Sequence, residues 1–189
     1  LVYALTLFKG DVIAGGKFTH SGANSVRGVA RWDGSTWQPL GSGVDLGQGV
    51  ASLTLYDEAL VAGGFFSSIG GIQASNIARW DGNTWSSLGE GIDGPVMALG
   101  IYQGDLIAAG SFSWAGATHA RSIARWDGTS WGPMGDGVYN EVHAVAVLNG
   151  ELFATGWFGI PEGHIVRWNG ASWLPLGSGL STIGRALMP

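Results

Sequence analysis

The stretch Ile77-Ala78-Arg79-Trp80-Asp81-Gly82-Asn83-Thr84-Trp85 decides the reading of this chain, because it recurs in four versions. Its relatives are Val29–Trp37, Ile123–Trp131 and Ile165–Trp173. The first tryptophan of each falls at Trp32, Trp80, Trp126 and Trp168, at spacings of 48, 46 and 42 residues. A second shared block lies upstream: Ala14-Gly15-Gly16-Lys17-Phe18, Ala62-Gly63-Gly64-Phe65-Phe66, Ala108-Ala109-Gly110-Ser111-Phe112 and Ala154-Thr155-Gly156-Trp157-Phe158. Downstream, each repeat carries a glycine pair: Gly41 and Gly43, Gly89 and Gly91, Gly135 and Gly137, Gly177 and Gly179. A fixed period of this length marks a repeat architecture.

Each repeat reads as four strands. Strand a is Val2–Phe8, Val50–Tyr56, Val96–Tyr102 or Val142–Leu148. After a tight turn, strand b is Val12–Phe18, Leu60–Phe66, Leu106–Phe112 or Leu152–Phe158. Strand c is the run ending in Arg-Trp, and strand d begins at the second Trp. Between c and d stands Asp-Gly or Asn-Gly, a strong hairpin signal, since both residues tolerate positive φ. Period-two alternation without a helical stripe supports strands throughout. Four strands every 42 to 48 residues is the length of a propeller blade. The expectation is an all-β chain: a small propeller of four four-stranded blades, about 16 strands, with essentially no helix. It is taken as one domain over 1–189, with blades at 1–49, 50–95, 96–141 and 142–183, and 184–189 as a partial extra strand. An excerpt of a longer array is compatible with this. Closure of the four blades within one chain, and so a monomer, is favoured, with a dimer by ring completion as the alternative.

Composition agrees. The 189 residues include 34 Gly and 10 Trp but only 3 Met, which suits short strands and turns and suits helices badly. Hydrophobic residues make up 46%, enough for a core, so a disordered chain is excluded. The net charge of −5 argues against a nucleic-acid footprint or an anionic membrane surface. No apolar run approaches the ~20 residues of a spanning helix, so membrane insertion is not expected. Without cysteine there are no disulfides, thiolate metal sites or thiol nucleophiles. The first residue is Leu and no signal peptide is visible, so the chain reads as a mature fragment or an excerpt.

The order apolar strand, Gly-Gly, Trp-Asp, turn, Trp resembles the kelch repeat of galactose-oxidase-type β-propellers. The wording Ala-Arg-Trp-Asp-Gly-Ser-Thr-Trp at Ala30–Trp37, with Phe-Thr or Phe-Ser after the glycines, is closer still to repeats of bacterial secreted and fungal cell-surface propeller arrays. The resemblance covers nearly the whole chain and implies the fold and an extracellular or cell-surface location. It implies no particular activity, since propellers host unrelated functions. Gly-Gly becomes Ala109-Gly110 and Thr155-Gly156 in the last two repeats, and the absence of Cys rules out carrying over copper-radical chemistry.

Residues present in every blade read as structural. The two Trp sets should pack between blades. Arg31, Arg79, Arg125 and Arg167 should pair with Asp11, Glu58, Asp105 and Glu151. Function should lie where the repeats differ, in the b–c and d–a loops at one end of the blades. The b–c loops are Thr19–Gly28, Ser67–Asn76, Ser113–Ser122 and 159–164. Unshared aromatic and polar residues there give the ligand-binding candidates Trp114, His119, Arg121, His20, Arg27, Tyr139, Glu141 and Trp157. Exposed Trp beside hydrogen-bonding side chains is a common way to stack a sugar ring. All four histidines lie on or beside the same end, and His143 and His164 are the candidates for a metal ion at the channel mouth. No catalytic residue is assigned, because no second carboxylate can be matched to Glu141 by spacing. The leading expectation is a non-enzymatic extracellular binding or interaction module for a carbohydrate or a protein. A carbohydrate-active hydrolase or lyase and a purely structural array are the alternatives.

Overall fold

The computed structural model describes residues 1–158, 163–182, 184, 185 and 187. They form two compact units, Leu1–Gly91 and Ile92–Pro189, each with two blades. The first blade runs β1 (Val2–Phe8), β2 (Asp11–Gly16), β3 (His20–Ser21), β4 (Asn24–Ser25), β5 (Val29–Trp32) and β6 (Trp37–Pro39). The second runs β7 (Gly49–Tyr56), β8 (Ala59–Phe65), β9 (Ser68–Ile69), β10 (Ile72–Gln73), β11 (Ile77–Trp80) and β12 (Trp85–Ser87). The third runs β13 (Val96–Tyr102), β14 (Asp105–Gly110), β15 (Trp114–Ala115), β16 (Thr118–His119), β17 (Ile123–Trp126) and β18 (Trp131–Pro133). The fourth runs β19 (Glu141–Leu148), β20 (Glu151–Trp157), β21 (Ile165–Trp168) and β22 (Trp173–Pro175).

The four-stranded antiparallel sheets are β1-β2-β5-β6, β7-β8-β11-β12, β13-β14-β17-β18 and β19-β20-β21-β22, the expected a-b-c-d order. They match the four blades of a small all-β, propeller-like fold, and no helix occurs among the described residues. The expected start of a further strand falls partly on 186, 188 and 189, outside the described residues. Gly184, Arg185 and Leu187 are described and lie in no strand.

Three features differ from the sequence reading. The first three b–c connections, expected as loops, fold back as small two-residue hairpins, β3-β4, β9-β10 and β15-β16. Residues 159–162 of the fourth lie outside the described set. The second feature is a break in register in strand a of every blade, between Val2 and Ala4, Val50 and Ser52, Val96 and Ala98, and Val142 and Ala144. One residue is extra at each break: Tyr3, Ala51, Met97 and His143. Alongside it runs the second glycine of the Gly-Gly block. A Cβ on Gly16, Gly64, Gly110 or Gly156 would lie 2.0–2.2 Å from a backbone oxygen at the start of strand a, closer than any side chain can stand. A Cβ on the first glycine, as at Gly15, would meet side chains first, Val50 at 2.8 Å and Leu53 at 3.3 Å, which can shift where a backbone oxygen cannot. Ala109 and Thr155 can therefore replace the first glycine, and nothing replaces the second.

The third difference is an ion pair. Arg31 meets Asp11 at 3.0 Å, Arg125 meets Asp105 at 3.2 Å and Arg167 meets Glu151 at 2.5 Å, as expected. Arg79, however, meets Asp57 at 3.4 Å rather than Glu58, and also donates to the Asp57 carbonyl oxygen at 3.0 Å. The a–b turns explain this. Lys9-Gly10, Gln103-Gly104 and Asn149-Gly150 have positive φ at both central positions, and so do Asp57-Glu58. Glu58 thus occupies a turn position, and Ala59 stands where Asp11 stands. All four pairs are largely solvated, so each contributes little to stability.

The core of each unit lies between its blades. In the first unit, Phe8, Ile13, Val29, Leu40 and Val44 of the first blade pack against Leu53, Ala62, Phe66, Ile69, Ala74 and Trp85 of the second. In the second unit, Ile107, Ile123, Met134 and Val138 pack against Val142, Val145, Leu152, Phe158 and Val166. Burying each Leu, Ile, Val or Phe contributes roughly 1.5–3 kcal/mol, the dominant stabilising term. The paired tryptophans stack within each blade, with ring centroids 5.5, 5.3, 5.3 and 5.2 Å apart. Within each unit, the second Trp of the later blade makes the inter-blade link. Trp85 Nε1 donates to the Leu40 carbonyl oxygen, and Trp173 Nε1 to that of Met134.

Candidate functional site

The candidate site lies in the second unit, at the end where β14 leads into the β15-β16 hairpin. Cross-strand pairing sets Trp114 opposite His119, and their rings meet edge to face at 5.1 Å and 74°. Asp93 holds the hairpin. Its Oδ1 accepts from the backbone N–H groups of Ser113 and Trp114, both at 2.9 Å, and its own N–H donates to the Trp114 carbonyl oxygen at 3.0 Å. The Trp114 backbone is therefore fixed while its indole stands half-exposed.

Arg121 and Tyr139 form the opposite side. The Arg121 guanidinium lies over the Tyr139 ring, 4.8 Å from its centroid, a cation–π contact that flattens both groups into one surface. The backbones cross here. Val138 N–H donates to the Arg121 carbonyl oxygen at 3.0 Å, and a Cβ on Gly137, which has φ of 75°, would lie 2.4 Å from that oxygen. The buried Ser122 hydroxyl donates to the Asn140 carbonyl oxygen and ties the two segments together. Between them opens a cleft of about 330 Å³, lined by Ser111, Ser113, His119, Arg121, Tyr139 and Asn140, with Phe112, Ser122 and Val138 beneath.

Glu141 and His143 follow directly in the chain. His143 occupies the break in β19, and its Nε2 lies 3.3 Å from Glu141 Oε2. Trp157 pairs across the ladder with Glu141 and is exposed. His164 turns toward its own blade, its Nδ1 being 3.2 Å from the Gly156 carbonyl oxygen. Among the described residues no group of three or more His, Cys, Asp or Glu side chains is placed to hold a metal ion.

The remaining candidates belong to the first unit. Arg27 is the repeat counterpart of Arg121, and its carbonyl oxygen accepts from Val44 N–H at 2.9 Å in the same crossing. It lines a smaller cleft of about 140 Å³ with Lys17, Thr19, Asp45 and Gln48. His20 is exposed, and it lines a different, mainly apolar groove with Val2, Leu5, Phe18 and Trp37.

At the opposite end of the second unit, a cleft of about 360 Å³ is lined by Tyr102, Gln103, Asp105, Arg125, Met134 and Trp168. Its lining is mostly the repeated Arg–carboxylate and Trp framework. The carboxylates of the c–d turns at that end are committed to structure. Asp33 Oδ1 accepts from Ser35 N–H at 2.9 Å and Thr36 N–H at 2.8 Å, and Asp127 Oδ1 accepts from Thr129 and Ser130 N–H, both at 2.8 Å. These backbone bonds, with help from neighbouring side chains, hold both carboxyls well below the ordinary 3.8, and backbone bonds from Thr84 and Asn83 lower that of Asp81.

Sequence reasoning missed Asp93, Ser111, Ser113 and Asn140. Asp93 had a signal: Asp45 and Asp93 hold the same place after the glycine pair, and Tyr139 replaces them in the third repeat.

The fold defines a β-propeller-like repeat protein of four-stranded antiparallel blades. No family model and no curated protein matches the chain. Among solved structures it is similar to the computationally designed protein Ika8, with a TM-score of 0.54 and 18% identity over 88% of this chain. The match spans 45% of that protein's length. The likeness is one of fold.

Proposed function

We propose that this chain is a non-enzymatic binding module whose ligand sits in the cleft of the second unit, against His119, Arg121 and Tyr139, with Trp114 packed on His119. One observation carries this reading. The exposed Tyr139 ring lines the cleft beside hydrogen-bonding groups from His119, Arg121, Ser113 and Asn140, and the exposed Trp114, on a backbone fixed by Asp93, packs against His119. Aromatic faces take the apolar face of a sugar ring, and fixed polar groups read its hydroxyls. A carbohydrate is therefore the ligand class favoured, with a protein surface as the alternative. The kelch-type resemblance supports an extracellular or cell-surface setting. A hydrolase or lyase is less well supported, since Glu141 has His143 rather than a second carboxylate as its partner.

The test is a glycan-array screen of the chain, with and without chelator, beside Trp114→Ala and Arg121→Ala. Binding that both substitutions abolish and chelator leaves intact supports the reading. Binding that survives both, or is lost only with chelator, refutes the proposed cleft or its metal-free chemistry.

A further inference from the structure

Charge sets the cleft of the second unit apart. Arg31, Arg79, Arg125 and Arg167 each face a carboxylate. Arg121 does not. Among the described residues its guanidinium has no carboxylate within ion-pair range, and it rests on the Tyr139 ring instead. The cleft lining holds no Asp or Glu. Acids of the adjoining segments stay out of it. Asp93 Oδ1 accepts from the N–H groups of Ser113 and Trp114, Glu141 faces His143, and Asp136 is not part of the lining.

The first blade shows what the third has exchanged. Arg27 occupies the repeat position of Arg121, and Asp45 that of Tyr139. Arg27 thus shares its cleft with an acid. The second repeat also carries an acid there, Asp93. In the third repeat a phenol takes that place, and the arginine remains without the counter-charge. In a chain of net charge −5, the result is a local cluster of cationic and hydrogen-bonding groups: Arg121, His119, Asn140, Ser111 and Ser113. A guanidinium is a rigid planar fork that meets two oxygens of one anion through parallel N–H···O bonds. Here the fork is held ready. The Arg121 carbonyl oxygen accepts from Val138 N–H at 3.0 Å, which fixes the backbone, and the Tyr139 ring supports the side chain. A side chain already ordered has less freedom to lose on binding.

We propose that this cleft selects anionic sugars, whose carboxylate or sulfate oxygens pair with Arg121 while the hydroxyls meet Ser113, His119 and Asn140. The proposal rests on the reading of the cleft as a sugar site and adds the charge of the sugar to it. The ligand's anion supplies the counter-charge that the first repeat carries in Asp45.

Matched glycans test it on the 189-residue chain at low ionic strength: uronate oligosaccharides beside their methyl esters, and sulfated oligosaccharides beside the unsulfated ones. The acidic member of a pair should bind about tenfold tighter or more than the neutral one, and added NaCl should narrow the gap. The pair with the larger gap tells carboxylate from sulfate. Arg121→Gln should bring the acidic member down to the level of the neutral one. Tyr139→Asp, at an exposed position, returns the acid of the first two repeats and should likewise remove the preference. Far-UV circular dichroism checks that both variants fold. Neutral sugars bound as tightly as acidic ones overturn the proposal and leave the sugar-site reading standing. An acidic preference that survives both substitutions does the same. Binding of no sugar from either set overturns the sugar-site reading and the proposal with it.

Discussion

Trp85 Nε1 donates to the Leu40 carbonyl oxygen at 3.1 Å, reaching from the second blade into the first. The indole is buried against the backbone of the preceding repeat, whereas Trp80, one turn earlier, is only partly buried. Trp85→Ala should cost about 3–5 kcal/mol, the range for deleting a buried large aromatic. Trp85→Phe should retain much of the packing and cost about 1–3 kcal/mol, because the Leu40 carbonyl loses its donor. Trp80→Ala should fall below Trp85→Ala. Denaturant midpoints of the three variants give the order directly.

The glycine block makes a sharper comparison. Gly110→Ala places a Cβ 2.0 Å from the Pro95 carbonyl oxygen, so the start of β13 has to move. Ala109→Gly, one residue earlier, gives up strand entropy and one buried methyl, about 1–2 kcal/mol. Thermal unfolding should show a large drop for the first and a small one for the second. Equal drops would mean that the break in β13 is not what demands glycine.

The c–d turns predict an acid limb in stability. Asp33, Asp81 and Asp127 have folded carboxyl pKa values below the ordinary one, so ionisation favours the folded state. That contribution is complete above the unfolded value, about 3.9, and is lost as pH falls below it toward the folded values. Asn169 fills the same turn in the fourth blade, its Oδ1 accepting from Ala171 N–H at 2.9 Å and Ser172 N–H at 2.8 Å without titrating. Replacing all three aspartates by Asn should therefore flatten the fall in melting temperature below about pH 4. Melting curves against pH, wild type beside the triple variant, measure it.

At the proposed cleft the expectation is the reverse: loss of binding without loss of stability. Trp114 and Tyr139 are exposed, and the Asp93 bonds that hold the hairpin involve backbone N–H groups. Trp114→Ala and Tyr139→Ala should each move stability by about 0.5 kcal/mol or less. Asp93→Ala should release the hairpin and weaken binding while leaving both aromatic rings in the sequence. Differential scanning fluorimetry with a binding titration separates these outcomes.

The fold was legible because its signal is written four times: strand alternation, Asp-Gly turns and a constant period all agree. What escaped was local and set by backbone geometry. The alternation pattern passes unbroken through the register break at Tyr3, Ala51, Met97 and His143, so a bulge there leaves no mark in composition. The two-residue hairpins escaped because four paired residues are too few for alternation to show. Glu58 was misplaced because acidic residues stand at both Asp57 and Glu58, and only the turn geometry separates them. At the site, looking for residues that break the repeat found His119, Arg121 and Tyr139, which line one cleft, and Trp114, which packs on His119. It also gathered His20 and Arg27, which line other cavities, and His164, whose ring turns back on its own blade. Loop membership says which end of a blade a residue occupies, but not which neighbour it faces.

The register break in strand a has a consequence for how this scaffold can change. Beside it stands one glycine with no room for variation, and within it one side chain that is different in each repeat: a phenol, a methyl, a thioether and an imidazole. The kink thus works as a socket, fixed in its mounting and indifferent to what is plugged in. A designer could rewrite four such positions, one per blade, giving up one ring contact between blades, that of Tyr3 with Phe65.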